Sequence, residues 1–396
     1  MLVDLVTVPL TVLSAGLLLV ACYVVMLALV AFLGRPARPP DGACTRRFAI
    51  LVPAHNEQLL LGRLLENVQQ IAYPKDRFDT FVVADNCDDG TAALALARGA
   101  RVYERFNRVL QGKGHALCWL LQNIREEGHV YDAFVVLDAD SVVSPNFLRR
   151  MDARLAAGSQ VIQAYYSVLN SADSPVAALR YAALAALHYL RPLGRSVLGL
   201  SCGLKGNGMC FSAPILDRFD WQWFTLAEDV EFHLALVRAG IRVDFASEAT
   251  VLADMPVTLE QAESQNARWE RGRLEFLRSY VPVLFWEGLA QRSWLRIDAA
   301  VEQLIPPLSV PVALGSLCLV LGLALSLPVP TAFAALSLAG QLGYLLAGLA
   351  LVKAPAKAYL ALSHAPIYVA WKVALYGRAF LGMRNLRWIR TARSAG

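Results

Sequence analysis

Two carboxylates one residue apart, Asp138 and Asp140, follow the apolar run Phe134-Val135-Val136-Leu137. A short Val-rich apolar run predicts a buried strand, so the pair stands where that strand ends. In an open α/β sheet, ligands bind just outside the carboxyl ends of the strands. Hard divalent cations take oxygen ligands and bridge protein carboxylates to substrate phosphates. Asp138 and Asp140 suit such a site. They equally suit a solvated strand-to-loop turn, where Asp is common.

Other polar groups recur at the ends of apolar runs. Pro53-Ala54-His55-Asn56-Glu57 leaves the strand Phe48–Val52 and enters a helix. The free N–H groups of a helix start can receive anions or base edges. Asp85, in Asp85-Asn86-Cys87-Asp88-Asp89-Gly90, ends the strand Phe81–Ala84 and could accept a hydrogen bond from a base or ribose. Lys113 lies between Gly112 and Gly114 before a helix. That is a phosphate-contacting pattern without the full G-x-x-x-x-G-K-S/T. Glu228 and Asp229 open a helix that Gly240 should close. Acids there complement the helix dipole, or one serves as a general base. In Gln265-Asn266-Ala267-Arg268-Trp269, helical spacing puts Gln265 and Arg268 on one face with Trp269 beside them. Arg can clamp a diphosphate, and Trp offers a flat face to a sugar ring; such a pair is also ordinary surface packing.

The elements that must hold these groups alternate. Strand patterns at Phe48–Val52, Phe81–Ala84, Phe134–Leu137 and Val161–Val168 are separated by helical patterns at Leu59–Val68, Thr91–Ala97 and His115–Arg125. Ser144-Pro145 predicts a further helix start, with Ser as N-cap and Pro at the first position. The alternation predicts an α/β domain with a mainly parallel sheet and helices on both faces.

Composition sets this domain in a membrane context. Of 396 residues, 56% are hydrophobic and 17% charged, against about 25% charged in soluble domains; the mean hydropathy is +0.44. Leu5 to Gly34 carries no charged residue and is long enough to span a bilayer, which takes about 20 residues. Arg35, Arg38, Arg46 and Arg47 follow it, placing the next segment in the cytoplasm by the positive-inside rule. Ala177 to Leu200 is apolar but broken by Arg180, His188, Arg191 and Arg195; it reads as a helix against the domain core rather than the membrane surface. Arg278 to Glu302 mixes Trp286, Trp294 and Leu295 with charges, an interfacial amphipathic pattern. Gln303 to Val352 has no charged residue and is divided by Pro328-Val329-Pro330, predicting two spans and an outer turn. Ala358 to Gly382 is apolar but carries Lys372 and Arg378; a charge at mid-bilayer is costly, so it is expected to lie in the interface. The seven cysteines form no C-x-x-C pair, against a zinc or disulfide framework and in favour of a reducing compartment. No dense basic cluster with interleaved aromatics points to nucleic acid. The expected division is an anchor and linker (1–43), a catalytic domain (44–277), an interfacial segment (278–302), a transmembrane hairpin (303–352), and an interfacial helix with a basic tail (353–396).

Taken in this order, the D-x-D after a strand, the Glu-Asp pair and Q-x-x-R-W resemble the membrane-integrated inverting glycosyltransferases of family 2. That group includes cellulose, chitin and hyaluronan synthases and ceramide glucosyltransferase. The resemblance runs from Arg47 to about Arg273. It implies a GT-A-like nucleotide-sugar-binding fold. The turn Pro53, Ala54 to Glu57 and Asp85 would hold uracil and ribose, with Lys113 near the nucleotide. Asp138 and Asp140 would bind UDP and Mg2+ or Mn2+, Asp140 more directly. Asp229 would be the base, with Glu228 beside it. Gln265 and Arg268 would hold the donor diphosphate, and Trp269 would shape the acceptor site. Lys205 to Cys210 resembles the acceptor-side loop. Asn86-Cys87-Asp88 departs from the commoner Gly-Ser-Thr.

The resemblance implies a multi-pass enzyme of the inner (plasma) membrane with its catalytic domain in the cytoplasm. It moves a hexose from a UDP-sugar to a growing polysaccharide or oligosaccharide through a β-linkage. The alternative acceptor is a ceramide- or hopanoid-like lipid. Sequence does not separate the two, nor does it identify partner subunits. A transporter or membrane scaffold with a degenerate nucleotide fold would show gaps among the carboxylates, and the chain has none.

Overall fold

A computed structural model of the chain describes residues 2–34, 39–40, 42, 44–225, 227–263, 266 and 277–380. It opens on helix α1 (Leu2–Leu33). The α/β domain then runs β1 (Phe48–Ala54), α2 (Leu61–Gln69), β2 (Phe78–Asp85), α3 (Thr91–Ala97), β3 (Arg101–Arg105), α4 (Lys113–Glu126), β4 (Ala133–Val136), β5 (Ser141–Val143) and α5 (Phe147–Ala156). It continues through β6 (Val161–Val168), α6 (Pro175–Leu184), a π-helical segment (Ala185–Leu190), α7 (Arg191–Val197), β7 (Met209–Ser212), α8 (Ala213–Phe219), α9 (Glu228–Arg238) and β8 (Val243–Ala253). Further helices are α10 (Val281–Ala290), α11 (Trp294–Leu304), α12 (Ser309–Ala324), α13 (Pro328–Leu351), α14 (Ala356–Leu360) and α15 (Ala365–Phe380).

Among the described residues, eight strands form one sheet in the order β3-β2-β1-β4-β7-β6-β8-β5. β2 pairs in parallel with both β1 and β3, and β4 lies parallel to β1 on its other side. The chain therefore steps outward to β3 and returns across β1 to β4. That reversal opens a crevice at the carboxyl ends of β1, β2 and β4, where a ligand fits. β7 runs antiparallel between β4 and β6, and β6 is parallel to β8. Phe48 to Val52 and all of β4 are buried, as expected of strands covered on both faces. Leu51, Phe81 and Val136 face α4, whose Leu117, Leu120, Leu121 and Ile124 recur at helical spacing. Ile50, Val82 and Val135 face α2 and α5 on the other side.

Ser144 does not cap α5. Its hydroxyl accepts from the Thr250 N–H (3.1 Å), and Asn146 donates to the Glu248 carbonyl (3.2 Å). Both capping side chains are spent on the β8 segment, and the helix begins at Phe147.

Among the described residues, Leu5–Leu33 and Pro328–Leu351 are each long and apolar enough to cross a bilayer; α11 and α12, bent by 61°, together make a third candidate. With 16 residues, α12 rises about 24 Å, short of the roughly 30 Å hydrocarbon core. The Ala177–Leu200 stretch is not only a core helix. Leu190 and Leu193 enter the domain core, while the backbone on the opposite side abuts the apolar helices. A Cβ at Gly194 would fall 2.5 Å from the Leu27 carbonyl oxygen, and one at Gly348 2.8 Å from the Ala186 nitrogen. Small residues permit such backbone approach between membrane helices.

Candidate active site

The loops after β1 and β2 are laced together. His55 Nδ1 donates to the Asp85 carbonyl (2.7 Å), Glu57 N–H to Thr91 Oγ1 (2.8 Å) and Asp88 N–H to Asn56 Oδ1 (2.9 Å). The Cys87 thiol donates to the Ala54 carbonyl (3.6 Å) and accepts from Asn56 N–H (3.3 Å). Burial pushes this thiol up. Asn86, with φ +52°, donates through Nδ2 to Asp85 Oδ1 (3.1 Å) and accepts from Asn107 N–H (2.8 Å). The Asn86-Cys87-Asp88 departure thus fastens the end of β2 to its neighbours.

Asp85 is buried, and its Oδ1 accepts from Arg105 at 2.5 Å. The two are cross-strand partners in the β2–β3 register. Arg105 also donates to the Leu110 carbonyl (2.8 Å), so it shapes the loop that leads into α4. The sequence reading passed over Arg105; its signal is a strand-end Arg opposite a strand-end Asp.

Gly112 adopts φ +114°, a conformation that L side chains rarely take. It turns the chain so that Lys113 opens α4 beneath the β4 end. Lys113 Nζ donates to Asp138 Oδ1 (2.5 Å) and to the Gly206 carbonyl. A Cβ on Gly206 would lie 3.4 Å from Asp229 Oδ2. Lys113, Asp138, Gly206 and Asp229, far apart in the chain, thus meet at one spot. Burial pulls the Lys113 ammonium down, but Asp138, Glu228 and Asp229 outweigh it and hold the group above its ordinary value. Burial pushes Glu228 and Asp229 up against the opposing charge of Lys113.

The 201–208 loop is pinned from below. Asn207, fully buried, accepts from Asp138 N–H (3.2 Å) and donates to Ser141 Oγ (2.8 Å). Gln163 donates to the Asn207 carbonyl (2.7 Å) and accepts from Lys205 N–H (2.9 Å). His115 stacks on Phe224 with ring centroids 4.1 Å apart; burial, with Arg105 adding, lowers its imidazole. Sequence places Asn207 only within the loop Lys205 to Cys210 and assigns no role to it or to His115, because their contacts are made across the fold.

Asp140 is buried in the turn after β4, and its carbonyl accepts from Arg63 (3.0 Å). Among the described residues, no three His, Cys, Asp or Glu side chains form a group that could hold a metal ion. A cation here would rest on one or two carboxylates and complete its shell with phosphate and water, as Mg2+ does in nucleotide sites. The half-exposed Asp138 side chain suits that arrangement. Pro53 and Ala54 lie on β1 at its carboxyl end. Gln265, Arg268 and Trp269 lie outside the described residues.

A mainly parallel sheet with a switch point, carboxylates at its strand ends and a half-buried Lys–Asp pair suit a nucleotide-binding α/β domain. The chain belongs to glycosyltransferase-like family 2, whose family model matches residues 45–272. It is 23% identical over 246 residues to a probable glycosyltransferase, YdaM, of Bacillus subtilis, covering 59% of this chain and 58% of that one. It is 24% identical over 272 residues to the beta-monoglucosyldiacylglycerol synthase of a Synechocystis species, covering 66% of this chain and 55% of that one. The matches thus span just over half the length of these relatives. Among solved structures, the mannosyltransferase PcManGT of Pyrobaculum calidifontis, in complex with GDP-Man and Mn2+, superposes with a TM-score of 0.51 at 18% identity, covering 86% of this chain and 98% of that one. The fold is therefore the GT-A-like α/β fold.

Proposed function

We propose that the chain is a membrane-bound inverting glycosyltransferase that moves a hexose from a UDP-sugar to an acceptor hydroxyl. The observation that carries this is the convergence of Lys113, Asp138 and Asp229 at the sheet's switch point. Asp138 and Asp140 would hold Mg2+ or Mn2+, which supplies positive charge where the leaving diphosphate gains negative charge. The PcManGT complex with Mn2+ supports that choice.

In this reading Asp85 and the Pro53–Glu57 turn hold the nucleoside. Lys113, already beside Asp138, places a second cation against the diphosphate. Asp229 takes the acceptor proton. Burial raises its affinity for protons, which suits a general base. The C1–O bond to UDP breaks as the bond to the acceptor oxygen forms. One displacement from an α-linked donor leaves a β-linkage. Gln265 and Arg268 are assigned to the diphosphate and Trp269 to the acceptor.

For the acceptor we favour a membrane lipid over a growing glycan. The supporting observation is that α7 packs on α1 at Gly194 and the π-helical segment packs on α13 at Gly348, so the stretch that leads into the 201–208 loop lies against apolar helices. The Synechocystis relative carries a lipid acceptor in its name. We assign the chain to the inner membrane as a multi-pass protein, with residues 44–277 as a cytoplasmic catalytic domain, 278–302 as an interfacial segment and 303–352 as a hairpin. The test is transfer by the detergent-purified chain from radiolabelled UDP-sugars to total membrane lipid with Mn2+. Labelled lipid of β-configuration is expected. Labelled polymer instead, or retained configuration, would overturn the corresponding part.

A further inference from the structure

Beside the proposed base lies a cation that nothing yet described employs. Arg191 and Arg195 are buried, and both are answered by carboxylates from α11. Arg191 lies 3.5 Å from Glu302, and Arg195 lies 3.2 Å from Glu302 and also pairs with Asp298. Tyr23 of α1 donates to Asp298 (3.2 Å), and Tyr344 of α13 accepts from Arg191 (3.3 Å). This cluster joins four elements and balances its own charge.

Lys205 is the odd member. It is half-buried, and among the described residues no carboxylate lies within the 4.0 Å ion-pair distance of its Nζ. Its backbone is fixed by Gln163. A Cβ on its neighbour Gly206 would lie 3.4 Å from Asp229 Oδ2. A Cβ at Gly203 would meet Lys205 Nζ at 3.4 Å and the His233 ring at 3.7 Å, so Gly203 leaves room around the ammonium. Glu302 is the carboxylate that acts on it most, but Glu302 is already shared by Arg191 and Arg195 and does not outweigh the burial of Lys205, so an anionic ligand beside the ammonium would offset that cost.

The side chains next to Lys205 lead toward the membrane. His188, on the π-helical segment, stacks on Tyr166 (centroids 5.5 Å) and bonds the Tyr166 carbonyl through Nδ1 (3.2 Å). Both are partly exposed. Tyr166 and Tyr181 share an apolar cluster with Val168 and Leu184. Tyr181 in turn packs in the cluster that contains Leu349 of α13. A π-helical turn inside an α-helix often marks a functional site, and this one presents His188 beside the lysine.

Resting on the glycosyltransferase reading, we propose that Lys205, with His188 and Tyr166, forms an acceptor subsite. It takes an anionic group, a phosphate or carboxylate adjoining the acceptor hydroxyl. A lipid tail would follow Tyr181 and Leu349 into the bilayer. Burial, followed by the charge of Lys205, pushes His188 down to about 3, so it stays neutral and serves as a hydrogen-bonding wall. Burial also lowers Lys205, which an anionic ligand would reverse. In the reaction the acceptor hydroxyl proton goes to Asp229, the sugar C1 bonds to the acceptor oxygen, and UDP leaves.

The test uses the full detergent-purified chain, Mn2+ and labelled UDP-sugars. Three acceptor pools from one membrane are offered: anionic lipids retained on an anion exchanger, neutral lipids, and water-soluble anionic metabolites. Label in the anionic lipids is expected. Label in the soluble anions would keep the charge recognition and move its source off the membrane. Label only in neutral lipids overturns the subsite. On the pool that is labelled, Lys205→Gln should raise the acceptor KM by about tenfold or more, the scale of a lost charge-assisted hydrogen bond, with the donor KM unchanged and Lys205→Arg largely restoring it. Equal acceptor KM in wild type and Lys205→Gln at matched melting temperature, or a raised donor KM instead, also overturns it. If the wild type binds UDP with Mn2+ yet labels no pool, the transferase reading itself fails, and the subsite with it.

Discussion

Lys113 Nζ sits 2.5 Å from Asp138 Oδ1 and also holds the Gly206 carbonyl, so one ammonium joins the strand end to the loop that passes beside Asp229. The pair is half-buried. Lys113 is the one cation of the described site in contact with both sides. Lys113→Ala should weaken UDP binding by about 10- to 100-fold, the scale of charge-assisted hydrogen bonds. Isothermal titration with UDP and Mn2+ measures this. An unchanged Kd would place Lys113 outside the donor site.

Metal removal gives the second expectation. Two carboxylates cannot hold a divalent ion tightly without substrate phosphate, so the ion should arrive with the nucleotide. EDTA should abolish transfer, and Mn2+ should restore it. Asp138→Asn and Asp140→Asn should each lose transfer while remaining folded. Full activity of Asp140→Asn would assign the ion to Asp138 alone.

A pH series tests the acidic pair. Burial raises both Glu228 and Asp229, so the folded state favours their protonated forms. The stability they lend is present at low pH and is lost as pH rises above their ordinary values through the raised ones, about 7 for Glu228. The melting temperature without ligand should therefore fall across that interval, and Glu228→Gln should flatten the fall. Transfer should follow the opposite slope, rising as Asp229 loses its proton. Asp229→Asn should cut transfer by about 100-fold or more, typical of a lost general base, and leave UDP affinity near wild type. A mutant rate equal to wild type would move the role to Glu228.

Arg105 should behave as both support and site. It is 6% exposed and its partner Asp85 9%. Removing one member of such a buried pair costs about 3–5 kcal/mol. Arg105→Ala should lower the melting temperature and weaken UDP binding together. Arg105→Ala paired with Asp85→Ala should recover stability but not binding. A thermal scan beside a nucleotide titration separates the two effects.

What could be read along the chain was local. Asp85 and Asp138 stand out because each follows an apolar strand, and Lys113 because glycines flank it. The boundaries of α3 and β6 came from uninterrupted Ala-rich and alternating patterns. Ser144 misled because a cap signal holds only while the side chain is free, and Thr250, about a hundred residues on, claims it. Arg105 looked like an exposed strand residue, since its partner lies on a neighbouring strand. Arg191 and Arg195 looked like breaks in an apolar helix; their carboxylates arrive from α11. In the region of the two spans expected between 303 and 352 stand two helices, the long α13 and the shorter α12, which with α11 makes a candidate span bent by 61°. The Gln265, Arg268 and Trp269 assignments rest on sequence.

The backbone contacts at Gly194 and Gly348 bear on how the molecule could be taken apart. α1 and α13 cover Ala186, Leu190 and Leu193, Tyr344 of α13 accepts from Arg191, and α11 supplies Glu302 and Asp298 to Arg191 and Arg195. Residues 44–277 cut free would expose this apolar patch and strand two arginines without their carboxylates. The excised domain should aggregate, so a water-soluble version requires resurfacing that face as well as trimming the hydrophobic helices.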